Sequence, residues 1–282
     1  MNGIGRGEGR LGLVLGGGGA RGLAAIGIIE TLESVGWHPS VIAGTSMGAM
    51  IGAFWAAGYS GTEIHAIAGG TSWTKVIDLS AKGGLIRGER FLGWLRTQLP
   101  ATFAELDIPL ICTATDIDTG DLVYLRDGDL PLAVRASCAF PGAFEPVRHE
   151  GRNLVDGGLK STVPVAAMQG LDVDKVVACD FQPPLDRPVV EHAATASDTW
   201  LWFWETLMFR RRTLAADVLL KAVDILQTEV SRRQLLDHPP DMLIAPAMPD
   251  VNIEDFRLVE KIIAIGAREA RRVLAAAGET TP

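Results

Sequence analysis

Short apolar runs alternate with longer amphipathic stretches along most of this chain. Leu11–Leu15, Val41–Ala43, Leu110–Thr115, Leu122–Leu125, Asn153–Val155, Val176–Cys179 and Met242–Ile244 have the length and apolar character of buried strands. Leu23, Ile26, Ile29 and Leu32 recur at helical spacing, as do Val259, Ile262, Ile263, Ala267 and Ala270 in a closing helix that starts near Asp255 and fades at Gly278. Another long helix is predicted over 214–236, with Val218, Leu219, Ala222, Ile225 and Leu226 along a side assigned to the core. This alternation predicts an α/β fold: a mostly parallel central sheet flanked by helices on both faces.

In such sheets the chemistry gathers at the carboxyl ends of the strands. After the first strand comes Gly16-Gly17-Gly18-Gly19-Ala20-Arg21-Gly22, leading into a helix N-terminus. Amide N–H groups of such a loop can converge on one point, which suits a phosphate or the oxyanion of acyl transfer. After the second strand, Gly44-Thr45-Ser46-Met47-Gly48 is a G-x-S-x-G that runs into the helix-forming stretch Ala49–Ala57. That is the layout of a nucleophile elbow, in which serine occupies a sharp turn and its second neighbours on either side must be small.

Gly17, Gly19 and Gly22 also satisfy G-x-G-x-x-G. A dinucleotide site would want an acidic residue at the end of the second strand, and the serine elbow stands there instead. Downstream, Asp156-Gly157-Gly158 closes another short apolar run, which makes Asp156 the leading candidate to activate Ser46.

In this order, Gly17–Gly22, Gly44–Gly48 and Asp156–Gly158 resemble the three signature motifs of the patatin-like phospholipases. Ala136–Val147 resembles the stretch that precedes the family's aspartate. Length and closing helix look most like the compact bacterial members related to neuropathy target esterase. The resemblance implies a three-layer sandwich and a Ser46–Asp156 dyad without histidine or cofactor, acting on lipid esters, phospholipid or lysophospholipid. The amides of Gly17, Gly18 and Gly19 would hold the oxyanion, with Gly22, Gly44, Gly48, Gly157 and Gly158 as supporting motif positions. Arg21 has two readings, steadying the loop or meeting an anionic head group. The residues agree about histidine: His38, His65, His149, His192 and His238 fall in turn, surface or loop contexts that do not look like a base site.

Domain organisation reads as a flexible leader over 1–10, a catalytic core over 11–170 and a C-terminal part of the same domain over 171–282. A net charge of −8 argues against nucleic acid as a partner. Cys112, Cys138 and Cys179 read as buried free thiols of a reducing compartment, and no spacing suggests a metal. Val41–Tyr59 is uncharged over nineteen residues, but the elbow divides it into strand and helix rather than a membrane span. The expectation is a cytoplasmic protein, with a homo-oligomer left open.

One segment stands apart. Trp200, Trp202, Phe203 and Trp204 precede Arg210-Arg211-Arg212 within 199–212. Aromatics beside arginines suit peripheral contact with the inner membrane face, and equally a lid or a protein interface. Two rival functions also stay open at this level, an esterase or thioesterase on soluble acyl substrates and a regulatory scaffold with an unused site.

Overall fold

In the computed structural model, residues 9–71, 76, 86–183 and 214–279 are described, the side chains of 214–220 excepted. Eight strands form one sheet: β1 Leu11–Leu15, β2 Pro39–Thr45, β3 Leu110–Asp116, β4 Leu122–Leu125, β5 Val147–His149, β6 Arg152–Asp156, β7 Lys175–Cys179 and β8 Met242–Ile244. Their order is β5-β6-β3-β2-β1-β7-β8, with β4 also paired to β3. The pairs among β3, β2, β1, β7 and β8 are parallel, whereas β4, β5 and β6 join antiparallel.

Each strand expected from the apolar runs is present: β1, β4 and β8 with the expected bounds, β3, β6 and β7 a residue or two longer, and β2 four residues longer. The addition is β5, three residues that include Arg148 and His149, too short and too polar to stand out as a run. Pairing with β6 makes it a strand, so His149 lies in a strand rather than in the charged turn expected for it.

The helices are α1 Ala24–Ser34, α2 Met47–Ala56, α3 Gly61–Gly70, α4 Glu89–Gln98, α5 Leu130–Ser137, α6 Leu214–Asp237 and α7 Val259–Ala276. Alternate strand residues divide the core in two, as the pleat requires. Leu13, Leu15, Ile42, Cys112 and Val177 pack into a large cluster with α1, α2 and α7. Val14, Val41, Ala43, Ile111 and Ala178 face the other way, onto Val163, Val165, Ala167, Met168 and Leu235 of α6. Both faces are covered, but unequally.

α7 buries Val259, Ile262, Ile263, Ala267 and Ala270, the stripe legible in its sequence. From residue 221 onward α6 does the opposite of expectation, the side chains of Val218 and Leu219 lying outside the described ones. Ala222, Ile225 and Leu226 lie exposed, Leu226 at 65%, while Gln227 and Ser231 are buried. With Asp224 and Gln234 these residues recur at helical spacing, so the inward stripe of α6 is polar. The reason lies in what it covers: carbonyls, a carboxylate and a guanidinium, each needing a hydrogen-bond partner once buried. His65, expected on a surface stretch, bridges α3 to α1 and α7 through Glu30 (3.1 Å) and Glu260 (3.0 Å). No helix of the described residues is long and apolar enough to cross a membrane.

Candidate active site

Register brings the two predicted catalytic residues together. β2 runs parallel to β3 with Thr45 opposite Thr113, and β6 runs antiparallel to it with Asp156 opposite Ala114. The carboxyl ends of two oppositely directed strands therefore reach successive residues of β3. Thr45 Oγ1 and Thr113 Oγ1 lie 2.7 Å apart in a hydrogen bond, and Thr115 Oγ1 donates to the Asp156 carbonyl at 3.0 Å.

Ser46 follows Thr45 with φ 55° and ψ −122°, a conformation that costs a non-glycine residue roughly 1–3 kcal/mol, and α2 begins at once. The expected elbow is thus present in its backbone. Its glycines are needed for space: a Cβ on Gly44 would come within 2.6 Å of the Ala49 backbone, and one on Gly48 would strike the Leu15 and Gly16 carbonyls. The Ser46 N–H donates to Ser137 Oγ at 2.8 Å. Ser137 is the last residue of α5, whose start is fixed by Asp129 accepting the Leu132 N–H at 3.0 Å.

Asp156 is buried, and its Oδ1 accepts the Gly158 N–H at 2.7 Å. Burial pushes its pKa up from 3.8 to about 6, while hydrogen bonds from the Gly158 N–H and the Ser46 side chain hold it back from rising further. Burial, with the Asp156 charge next, pushes the Cys138 thiol well above the ordinary thiol range. Cys112 and Cys179 are buried free thiols, and Cys138 is partly exposed.

The glycine-rich loop passes close to this pair. A Cβ on Gly17 would lie 3.5 Å from Ser46 Cβ, and Gly22 rests against Met47. Here the structure corrects the sequence reading. The Gly17 N–H is already spent, donating to the Thr162 carbonyl at 2.9 Å, as the Gly16 N–H does to Cys179 at 3.0 Å. Ala20 and Arg21 donate to Ile253 and Gly18 carbonyls. Of the loop amides up to Arg21, those of Gly18 and Gly19 have no acceptor among the described residues.

Arg21 is 1% exposed, and its Nη2 donates to Asp224 of α6 at 2.8 Å. Of its two readings, the buried position supports steadying the loop. Gly157 packs on Thr113, and Gly158 lies beneath Gln227 of α6. Ser137, Cys138 and the polar row of α6 were not singled out as functional by sequence reasoning. Ser137 and Cys138 lie within the quoted Ala136–Val147 stretch, so their signal was present without a role attached. Among the described residues no group of three or more His, Cys, Asp or Glu could hold a metal ion. Trp200, Trp202, Phe203 and Trp204 lie outside the described residues.

A mostly parallel α/β sheet with a strained serine elbow and a buried carboxylate on a nearby strand end is the arrangement these residues form. The chain belongs to the patatin-like phospholipase family, whose model matches residues 13–168, more than half its length. It is 35% identical over 196 residues to an uncharacterised NTE family protein of Mycobacterium bovis, covering 68% of this chain and 54% of that one. It is 32% identical over 201 residues to a lysophospholipase of Aspergillus fumigatus, covering 68% of this chain and 13% of that one. The match thus spans about half of the mycobacterial relative and a small part of the fungal one. In fold it is similar to VipD from Legionella pneumophila, with a TM-score of 0.59 and 17% identity over 96% of this chain and 67% of that one.

Proposed function

We propose that this protein is a serine acyl hydrolase that cleaves carboxylic ester bonds of lipids through a Ser46–Asp156 dyad. The observation that carries this reading is the strained elbow of Ser46 beside a buried Asp156, the two strand ends meeting successive residues of β3, with burial raising the Asp156 pKa to about 6. An ordinary carboxylate, with a pKa of about 4, is a weak base for a hydroxyl, and burial moves Asp156 toward the working pH.

Asp156 takes the hydroxyl proton as Ser46 Oγ attacks the ester carbonyl. The negative oxygen is held by the N–H groups of Gly18 and Gly19, and the proton passes to the departing alcohol. Asp156 then activates water, which releases the fatty acid and restores the serine. Lysophospholipid or phospholipid is the substrate class favoured by the relatives, one of which carries the name lysophospholipase. No step calls on a cofactor.

The test compares wild type, Ser46→Ala and Asp156→Asn on lysophosphatidylcholine micelles and on a short soluble ester. Both variants should lose at least about 1,000-fold in kcat. Hydrolysis by wild type should fall as pH drops through about 6, because Asp156 works only when ionised. Cleavage of the soluble ester alone would replace the lipase by a soluble-ester hydrolase, and Ser46→Ala at full activity would remove the nucleophile.

Stability should run the other way. Asp156 binds its proton more tightly folded than unfolded, so its contribution is greatest in acid and falls as pH rises from 3.8 to about 6. Above that range the buried charge costs about 3 kcal/mol. Asp156→Asn should therefore melt higher than wild type at pH 8, and the gap should close below about pH 4. A variant that melts lower at pH 8 would contradict the burial argument.

A further inference from the structure

We propose that Gln182 is a positioning residue for the oxyanion loop, holding the Gly17–Gly18 peptide so that the Gly18 N–H faces the reacting carbonyl. Gln182 follows β7, and its Nε2 donates to the Gly17 carbonyl at 3.0 Å. In a trans peptide the C=O and the next N–H point in opposite directions, so gripping the first aims the second. The peptide in question lies between two glycines, which resist rotation less than any other pair, and an external anchor is what can keep it from turning over. On its other side Gly17 donates to the Thr162 carbonyl, so this residue is held at both ends and the free amides begin at Gly18.

The anchor is itself anchored. The Gln182 N–H donates to Asp180 Oδ1 at 3.0 Å, and Asp180 Oδ2 accepts from Ser231 Oγ at 2.7 Å. Asp180 also feels the charge of the buried Arg21, whose partner Asp224 lies two turns before Ser231 on α6. Gln182 keeps its bond although its Oε1 is buried without a partner among the described residues. Turning the amide over would set that oxygen against the Gly17 carbonyl. A chain of bonds thus runs from α6 through Ser231, Asp180 and Gln182 to the loop.

This inference rests on the acyl-hydrolase reading, and its test has one arm that does not. Gln182→Met keeps the volume and loses the donor. On the soluble ester its kcat should fall roughly 10–100-fold with KM nearly constant and the acid limb near pH 6 unmoved, since Asp156 is untouched. Asp180→Leu should behave likewise, whereas Asp180→Asn should stay near wild type, because Ser231 can reverse its hydroxyl and both bonds re-form. The independent arm is hydrogen exchange of the Gly16–Leu23 peptide, which should quicken in Gln182→Met while Tm holds. Unchanged kcat in an active enzyme, or unchanged exchange in any case, overturns the proposal. So does a joint loss of kcat, KM and Tm, which would mark Gln182 as a packing residue.

Discussion

The two faces of the sheet carry helices held by opposite means. On one, α7 lies against α1 so closely that a Cβ on Gly27 or Gly266 would run into the Ile263 or Ala24 carbonyl. The contact is backbone on backbone and mostly apolar, with Thr31 Oγ1 bonded to the Gly27 carbonyl of its own helix at 2.8 Å and, more weakly, to the Ala267 carbonyl of α7 at 3.4 Å. On the other face, α6 touches the body through Asp224, Gln227, Ser231 and Gln234, with Leu235 alone of its apolar residues named in the cluster beneath, and turns Ile225 and Leu226 outward. Apolar packing is strong in sum but indifferent to direction, whereas hydrogen bonds are weak in sum and strict about angle. The dry face suits stability. The polar face, which holds the Gly17–Arg21 loop and the Asp156–Gly158 turn, suits aim.

The largest effect should come from disturbing the dry contact. Gly266→Val places two methyl groups where the Ala24 backbone lies, and neither helix can yield without opening the core. The expected loss is about 3–5 kcal/mol, a fall in Tm on the order of 10 °C by thermal melting. A melting point near wild type would mean that the two helices are not tightly seated and would erase the contrast.

A smaller loss is expected from the polar side. Asp224→Ala leaves the buried Arg21 guanidinium without its carboxylate, and Arg21 Nε already has no partner among the described residues. Because Asp224 is partly exposed, water relieves some of the penalty, and about 2–3 kcal/mol should be lost in urea unfolding. The double variant Arg21→Met with Asp224→Leu should recover most of it, since the cost is that of an unpaired charge. A double variant as unstable as the single would show that the pair holds α6 in some other way.

The same contrast marks what could be read from the chain alone. The dry face was legible because burial of apolar side chains imposes a period: every strand but β5 and the inward stripe of α7 follow from spacing. The Ser46 elbow and the Asp156 turn were legible as local structure because both need small residues at fixed offsets. Gly17 as an oxyanion donor was misread, because which amide is free depends on where Thr162 lies, and that is set by tertiary structure. The orientation of α6 was misread for a related reason. Periodicity reports which residues are alike, and a helix with both an apolar and a polar row can bury either. Only the nature of the covered surface decides.

The smallest effect should come from the apolar row of α6, and there a near-null result is the informative one. Leu226 sits at helical spacing from Ala222 and would be core if the helix buried its apolar side. Removing a core leucine costs about 2–5 kcal/mol. At 65% exposure it has little contact to lose, and Leu226→Ser should shift unfolding by less than about 0.5 kcal/mol with the acid limb of activity unchanged. A shift of roughly 2 kcal/mol or more would show that this row is covered in the native protein. In that event α6 would be held by apolar packing well beyond Leu235 as well as by its polar row, and the division between the two faces would be one of degree.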